Sequence, residues 1–338
     1  DTIEINDDIR RLTSVVCHSL SDVPDIIDTW NEGKVADVEG YYENAKINRV
    51  YVDRVHVKKA FAEYTAAYNA DDPKIKLKID HTYRVAALCE RIAKAAGMCA
   101  YDVELAWLSG MLHDVGRFEQ IKRYNTFSDA DSVDHAKFGA DLLFKDGLIS
   151  TFLNGMVKCT GYKPGALEDR YSSDGVFLYD RLNKSDMEML ELAIRCHNMY
   201  RIPQGLNSRE QAFCNVLRDA DKVDIFKVNI DTPLEEIYNT TTEELMKSDI
   251  TDEVLEAFDE EHCILKAIRR TPADTVIGHV SLAYELVYDE SVRITVEQGY
   301  LAKLMHFHSD NEETNRKMAM VREKMDSYMK KRIGEKDA

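Results

Sequence analysis

The sequence lacks the features of a membrane-spanning or secreted protein. No run of apolar residues approaches the roughly 18 that suggest a transmembrane helix, and the amino end carries no secretory signal. The 7 cysteines are odd in number and form no CxxC pair, so neither a disulfide framework nor a cysteine zinc site is indicated. We therefore expect a cytoplasmic protein that makes no membrane contact.

Basic residues are also in the minority. The chain has 44 lysines and arginines against 61 aspartates and glutamates, for a formal net charge of −17 at pH 7. An extended nucleic-acid surface needs a basic stripe that neutralises phosphates, so this balance argues against one. Small anionic substrates stay compatible with the sequence wherever cations cluster locally.

Apolar residues recur at helical spacing along the whole chain, which predicts an all-α protein. Although 338 residues would allow two domains by length alone, one helical core with appended helices fits the pattern equally well. We expect an N-terminal helical segment at 1–54, a core at 55–226 and a C-terminal helical region at 227–338 packed on that core. A polar insertion near 160–185 interrupts the core and suits either a lid or a dimer contact.

The adjacent pair His113 and Asp114 is the most informative feature of the chain. It lies at the end of an apolar helical stretch, Leu105 to Leu112, shortly before Gly116. An imidazole and a carboxylate are costly to bury unless something compensates them, and a bound metal ion is the usual compensation. The pair therefore predicts further metal ligands elsewhere in the chain.

Four further ionisable residues lie inside or beside apolar helical stripes: His81, His135, His197 and Asp221. His81 shares a helix face with Val85, and Asp221 falls four residues after Leu217, so both side chains are expected to point inward. A single histidine on an apolar face is more often a hydrogen-bonded core residue than a ligand. Burying six such groups at once is far more expensive than burying one, so the set as a whole predicts a metal site.

This order of residues resembles the HD-domain superfamily of metal-dependent phosphohydrolases, which is named after the adjacent His-Asp pair. The resemblance covers about residues 55–226, and the run Arg-Asp-Ala-Asp-Lys-Val-Asp at 218–224 is the strongest local match after the pair itself. His135 and His197 look like the extra ligands of the subfamilies that hold two metals. The chain departs from many of these in having Asn198 where a second histidine often follows. The resemblance implies an HD-domain helical bundle.

The resemblance also implies one or two divalent transition metals, and the implied ligands are His81, His113, Asp114, His135, His197 and Asp221. In the two-metal arrangement Asp114 bridges; one ion takes the ligands at 81, 113 and 221, and the other takes those at 135 and 197. Imidazole and carboxylate ligands suit Mn, Fe, Zn, Ni or Co better than Ca and do not choose among them. A hydroxide generated by the metals would attack phosphorus. The implied enzyme is a phosphomonoesterase or phosphodiesterase for a small phosphate ester, such as a nucleotide or cyclic nucleotide.

Cations near the predicted ligands are candidates for binding phosphate. Arg117 follows the His-Asp pair by three residues, and Arg123 lies on the stretch that leads to the next ligand. Guanidinium groups suit bidentate phosphate recognition, so Arg117 and Arg123 rank ahead of Lys137. We expect both arginines to bind phosphate without holding the fold together. We also expect Asp114 and Arg117 to be catalytic. Lys122 and Lys222 are interpreted as solvated surface charges.

Two other functions stay open. Some six-ligand relatives in the same superfamily are di-iron oxygenases, and the spacing from Asp114 to His135 is compatible with them. Mixed-valence iron in the purified protein, together with oxygen consumption, would favour that function. The other is a regulatory or scaffolding domain without turnover; its signature is the loss of a ligand, and none is lost here.

The neighbours of the predicted ligands receive supporting interpretations. Asp134, Asp219 and Asp224 are candidates for orienting the ligating histidines through hydrogen bonds. Cys196, next to His197, is interpreted as a small core residue, because neighbours along a helix point about 100 degrees apart. A homodimer is compatible with the sequence.

Overall fold

Helices make up most of the structure, which is a computed structural model of the chain. It describes residues 52–153, 158–159, 177–178, 182, 184–235 and 240–334. The helices before the insertion are α1 (Arg54–Thr65), α2 (Pro73–Ala95), α3 (Ala100–Leu112), α4 (Val115–Tyr124), α5 (His135–Ala140) and α6 (Ile149–Leu153). Those after it are α7 (Lys184–Cys196), α8 (Ser208–Asp231), α9 (Thr242–Lys247), α10 (Asp252–Asp259), α11 (Pro272–Val280), α12 (Asp289–Gln298), α13 (Tyr300–Met305) and α14 (Glu312–Ile333). The predicted all-α class is confirmed.

Two parts of the predicted layout fall largely outside the described residues. Of the N-terminal segment at 1–54, only residues 52–54 are described, and of the insertion at 160–185, only 177–178, 182 and 184–185. At the insertion, strand β1 (Lys158–Cys159) pairs antiparallel with strand β2 (Phe177–Leu178), with Lys158 opposite Leu178. In the part of the chain that the structure describes, β1 and β2 are the only two strands.

Helices α2 and α3 approach each other closely enough for their backbones to touch. Asp72 caps α2 by accepting a hydrogen bond from the backbone N–H of Lys74 (2.8 Å), and Pro73 occupies the first helical position, where a missing N–H costs nothing. A β-carbon at Gly110 would lie 2.6 Å from the Cα of Ala86. Glycine at this position therefore allows α3 to pack against α2 and to bring His113, just beyond its end, toward His81.

A second close approach follows the His-Asp pair. A β-carbon at Gly116 would lie 2.4 Å from the backbone oxygen of His135 and 2.7 Å from the backbone nitrogen of Gly139. Only glycine lets the start of α4 lie directly on α5. The approach places His135, the first residue of α5, beside Asp114.

Helix α8 packs against α2, α7 and α13. It begins with a capping box: the side chain of Asn207 accepts from the backbone N–H of Glu210 (3.0 Å), whose side chain accepts from the N–H of Asn207 (2.9 Å). The helix runs without a break from Ser208 to Asp231, and thus through residue 226. Because several elements cover it, α8 presents polar side chains to different neighbours along its length.

The C-terminal helices are fixed to α8 through buried Asp219. Its carboxylate accepts hydrogen bonds from the backbone N–H groups of Val287 (2.9 Å) and Tyr288 (3.0 Å). On α14, Met318 and Met325 are buried. None of the described helices is long and apolar enough to cross a membrane.

Candidate metal centre

The six predicted ligands come together at one place from five helices or helix ends. His81 lies on α2, His113 and Asp114 join α3 to α4, His135 begins α5, His197 follows α7 and Asp221 lies on α8. The four histidines and Asp114 are buried, and Asp221 is largely covered. The convergence expected from the helical stripes is therefore present in the fold.

One oxygen of Asp114 faces a first ligand group, His81, His113 and Asp221. Its Oδ2 lies 3.6 Å from Nε2 of His81 and 3.5 Å from Nε2 of His113. The Nε2 atom of His81 in turn lies 3.1 Å from Oδ1 of Asp221. The Nε2 atoms of His81 and His113 therefore each lie within 3.8 Å of an oxygen of both Asp114 and Asp221.

The other oxygen of Asp114 faces a second ligand group, His135 and His197. Its Oδ1 lies 3.6 Å from Nε2 of His135 and 3.8 Å from Nε2 of His197. These two Nε2 atoms are 3.1 Å apart. The carboxylate of Asp114 therefore lies between the two groups and presents one oxygen to each.

Each of the four imidazoles has its Nδ1 atom engaged by an acceptor. His113 and His197 donate to the backbone oxygens of Gly110 and Ile194, both at 2.7 Å. Nδ1 of His81 lies 2.6 Å from Oδ2 of Asp224, and Nδ1 of His135 lies 2.7 Å from Oδ2 of Asp129. A carbonyl oxygen only accepts, so in the neutral rings of His113 and His197 the proton is on Nδ1 and the lone pair is on Nε2.

This donor set fits a metal ion. The Nε2 atoms of His135 and His197 are 3.1 Å apart, and those of His81 and His113 are 3.3 Å apart. Two lone pairs at such distances repel each other unless a proton or a metal ion lies between them. Mixed imidazole and carboxylate donors of this kind suit divalent transition metals, and a carboxylate or carbonyl on the far nitrogen is the usual support of a metal-binding histidine. The residues present therefore match the group that the sequence pattern implies.

The protonation states agree with metal binding. Burial lowers the pKa of His113 to about 4 and that of His135 to about 3, so both rings are neutral at pH 7 and able to ligate. Although burial opposes ionisation of Asp114, Lys78 and His113 hold the pKa of its carboxyl well below the usual range. Burial opposes protonation of His81, but its hydrogen bonds to Asp221 and Asp224 outweigh this effect, so the pKa of His81 is raised. A metal ion bound at this point would displace the proton that these two carboxylates stabilise on His81.

Comparison with known proteins agrees with this geometry. The family model described as HD domain matches residues 79–226. These residues form an HD domain. The superfamily consists in general of metal-dependent hydrolases. No curated protein and no solved structure matches the chain significantly.

A cation that the sequence reasoning missed, Lys78, lies directly on Asp114. The ammonium of Lys78 donates a hydrogen bond to Oδ2 of Asp114 at 2.7 Å, and its side chain is only 16% exposed. Lys78 precedes His81 by three residues on α2, so both share a helix face. This three-residue spacing was the signal in the sequence that could have identified Lys78.

Arg117 lies beside the centre but also supports the fold. Its NH1 atom donates to the backbone oxygen of Phe127 (2.7 Å), to Gln120 (2.7 Å) and to Asp129 (2.9 Å). Its Nε atom lies 3.8 Å from Oδ1 of Asp114. The NH1 contacts connect α4 to the loop that orients His135, a structural role that the sequence did not indicate.

The other two predicted substrate ligands lie on the surface. Arg123 is 51% exposed and pairs with Glu119 at 2.9 Å, whereas Lys137 is 57% exposed and pairs with Asp134 at 2.8 Å. Within the described residues, neither side chain hydrogen bonds to one of the six ligands. Their assignment to the substrate stays a prediction.

The interpretation of Lys222 as a solvated surface charge is wrong. Its side chain is buried, at 8% exposure, because α8 is covered by the C-terminal region at this point. Burial lowers the pKa of Lys222 to about 8. Lys122, in contrast, is exposed and pairs with Glu119 at 3.4 Å.

The carboxylates around the ligands divide into different roles. Asp224 hydrogen bonds to His81. It is one of the three carboxylates that the sequence suggested as orienting partners of the histidines. Asp134 instead accepts from Asn198 (2.9 Å) and pairs with Lys137, and Asp219 holds the C-terminal region. Asp129, which the sequence reasoning missed, orients His135 and also accepts from Asn198 (3.2 Å). The asparagine that replaces a histidine of many relatives thus contacts the support of the second group.

Proposed function

We propose that this HD domain is a metal-dependent phosphohydrolase that acts on a small phosphate ester, with a nucleotide or cyclic nucleotide as the substrate to test first. One observation carries the proposal: the carboxylate of Asp114 presents one oxygen to each of two histidine groups, at 3.5 to 3.8 Å from the four Nε2 atoms. A carboxylate shared between two adjacent cation positions is compatible with a two-metal hydrolytic site. The superfamily, which consists in general of metal-dependent hydrolases, favours hydrolysis as the reaction.

The residues that would hold the metals are divided by Asp114. The first group, with His81, His113 and Asp221, would hold one ion, and the second group, with His135 and His197, would hold another. When bound, these metals supply Lewis acidity toward water and toward a phosphoryl oxygen.

The chain itself supplies orientation and charge. Asp224 and Asp129 fix the rings of His81 and His135 from behind, which keeps their Nε2 atoms directed at the centre. Arg117 and Lys78 lie beside Asp114 and provide positive charge for the phosphate. We propose Arg117 as the cation nearest the reacting group, with Arg123 and Lys137 farther out on the surface.

The decisive experiment combines metal analysis with a substrate screen. Protein purified without chelator is analysed for metals and then assayed for phosphate release from nucleoside mono-, di- and triphosphates and for opening of cyclic nucleotides. The Asp114→Ala variant, prepared identically, controls for a contaminating phosphatase. Turnover by the parent that is absent from the variant supports the proposal, and the two substrate types separate monoesterase from diesterase.

Two outcomes would contradict the proposal. Mixed-valence iron with substrate-dependent oxygen consumption, and no phosphate release, would indicate the oxygenase. Full metal content with no turnover on any ester would indicate a regulatory domain.

The remaining assignments are also proposals. We propose that 1–54 and 227–338 are regions appended to a catalytic core at 55–226, that the protein acts in the cytoplasm, and that it forms a homodimer. Analytical ultracentrifugation of the full chain tests the last of these.

A further inference from the structure

Lys78 occupies an unusual place for a lysine. Its ammonium lies 2.7 Å from Oδ2 of Asp114, the same oxygen that faces Nε2 of His81 (3.6 Å) and of His113 (3.5 Å). Lysine side chains are mostly exposed, whereas that of Lys78 is only 16% exposed. The partner of Lys78 is thus the oxygen that the first ligand group directs toward a metal.

A metal ion and this ammonium compete for the same negative charge. A divalent cation held by the first group would neutralise the charge of Asp114 and would repel the ammonium beside it. The ammonium also lies near the ring of Phe127, whose centroid is 5.5 Å away. A largely covered ammonium that loses its carboxylate needs another anion.

Arg117 offers a matching donor on the other side of Asp114. Its Nε atom is buried and has no hydrogen-bond partner among the described residues, while lying 3.8 Å from Oδ1 of Asp114. Its guanidinium carbon is 5.7 Å from the centroid of the Phe127 ring, so the same ring lies beside both cations. Leaving a buried donor unsatisfied is costly, which indicates that an acceptor belongs next to it.

We propose that Lys78 and the Nε atom of Arg117 form a two-point site for a phosphate dianion, and that the substrate is therefore a phosphomonoester. The inference rests on the proposed function, because it takes the ligand to be a phosphate ester. A monoester carries about 1.5 to 2 negative charges at pH 7, whereas a diester carries only one. Two cations added to a metal-loaded centre match the more highly charged ligand. Lys78 leaves Asp114 for the phosphate oxygen when metal and substrate are both bound.

Binding of simple phosphates to the metal-loaded full chain tests the proposal. The variant Lys78→Met keeps much of the side-chain volume, and Lys76→Met is its matched control, since Lys76 is exposed on the same helix. Calorimetry with inorganic phosphate should show affinity lower by roughly tenfold to a hundredfold in Lys78→Met, the loss expected for one charge-assisted hydrogen bond, and no change in Lys76→Met. Metal content should be the same in all three proteins. Lys78→Gln serves if Lys78→Met does not fold.

A pair of probes tests the substrate class. Methyl phosphate should bind more tightly than dimethyl phosphate, and that preference should shrink in Lys78→Met. Equal binding of the two probes by the parent, or unchanged phosphate affinity in the variant, overturns the proposal. Loss of metal from Lys78→Met also overturns it, because Lys78 would then be a positioning residue for Asp114.

These binding measurements need no turnover, so they separate the inference from the proposed function. Phosphate binding that depends on Lys78 in a protein that hydrolyses no ester would refute the hydrolase and support the anion site. If Lys78→Met still hydrolyses esters and its phosphate affinity is unchanged, the hydrolase is supported and the anion site is refuted.

Discussion

Asp224→Asn is the most informative single substitution at the edge of this centre. The carboxylate of Asp224 is buried and lies 2.6 Å from Nδ1 of His81. It also accepts from Arg84, at 2.6 Å from Nε and 2.9 Å from NH2. Asparagine has nearly the same shape but no charge. The change therefore removes the anion that orients His81 and joins α2 to α8, and it leaves all six predicted ligands in place.

The expected magnitudes follow from these contacts. Losing the orienting partner of a metal-binding histidine typically reduces metal affinity about tenfold to a hundredfold, which corresponds to about 1.4 to 2.7 kcal/mol. Breaking a fully buried ion pair costs about 3 to 5 kcal/mol. Arg84 is 31% exposed and partly screened by water, so we expect a smaller loss in the free energy of unfolding, about 1 to 3 kcal/mol.

The pH dependence of the stability provides an independent test of the role of Asp224. Burial opposes ionisation of Asp224, but hydrogen bonds from His81 and Arg84 outweigh it and lower its pKa. An aspartate with a lower pKa in the folded state stabilises the protein above the unfolded value of about 3.9 and loses this contribution as the pH falls through the folded value. The difference in Tm between parent and Asp224→Asn should therefore be largest near neutral pH and should shrink below about pH 4.

Competition with a chelator measures the metal affinity, and melting curves of the metal-free proteins between pH 7 and pH 3 measure the stability. Asp231→Asn is the matched control, because Asp231 ends the same helix and forms an exposed pair with Lys227. Metal affinity equal to that of the parent in Asp224→Asn would refute the orienting role. A Tm difference that stays constant with pH would refute the linkage argument.

Four further predictions concern the ligands and their supports. Asp114→Ala should abolish metal retention because Asp114 serves both groups; full occupancy by elemental analysis would contradict this. His135→Ala should reduce about two metals per chain to about one, and a parent value of one that the mutation leaves unchanged would show that this histidine is no ligand. Arg117→Ala should lower kcat/KM by roughly tenfold to a thousandfold, and it should also lower Tm because NH1 connects α4 to the following loop; unchanged kinetics would remove Arg117 from the site. Arg218 donates to the backbone oxygens of His197 (3.3 Å) and Tyr200 (3.2 Å), so Arg218→Met should lose metal from the second group first, and retention of both metals at the parent's affinity would show that the loop needs no such support.

The candidate ligands could be found from the sequence because each one lies in a local helical pattern. His81 lies four residues before Val85, and Asp221 lies four residues after Leu217; such spacing fixes a helix face whatever the rest of the fold does. The His-Asp pair ends an apolar helix before Gly116, a glycine that the contact with α5 requires. Helix type, inward-facing polar residues and the family resemblance were therefore all available before any tertiary contact was known.

Pairings between distant segments were decided only by the tertiary structure. His81 and Asp224 are 143 positions apart, and no local pattern shows which carboxylate meets which ring. Lys222 looks like a surface lysine from its neighbours, but the C-terminal region covers it. Lys78 lies on the ligand face of α2, yet its contact with Asp114 depends on how α2 and α3 pack. Helical periodicity shows which side of a helix faces inward, whereas the partner on that side depends on backbone packing across the whole domain.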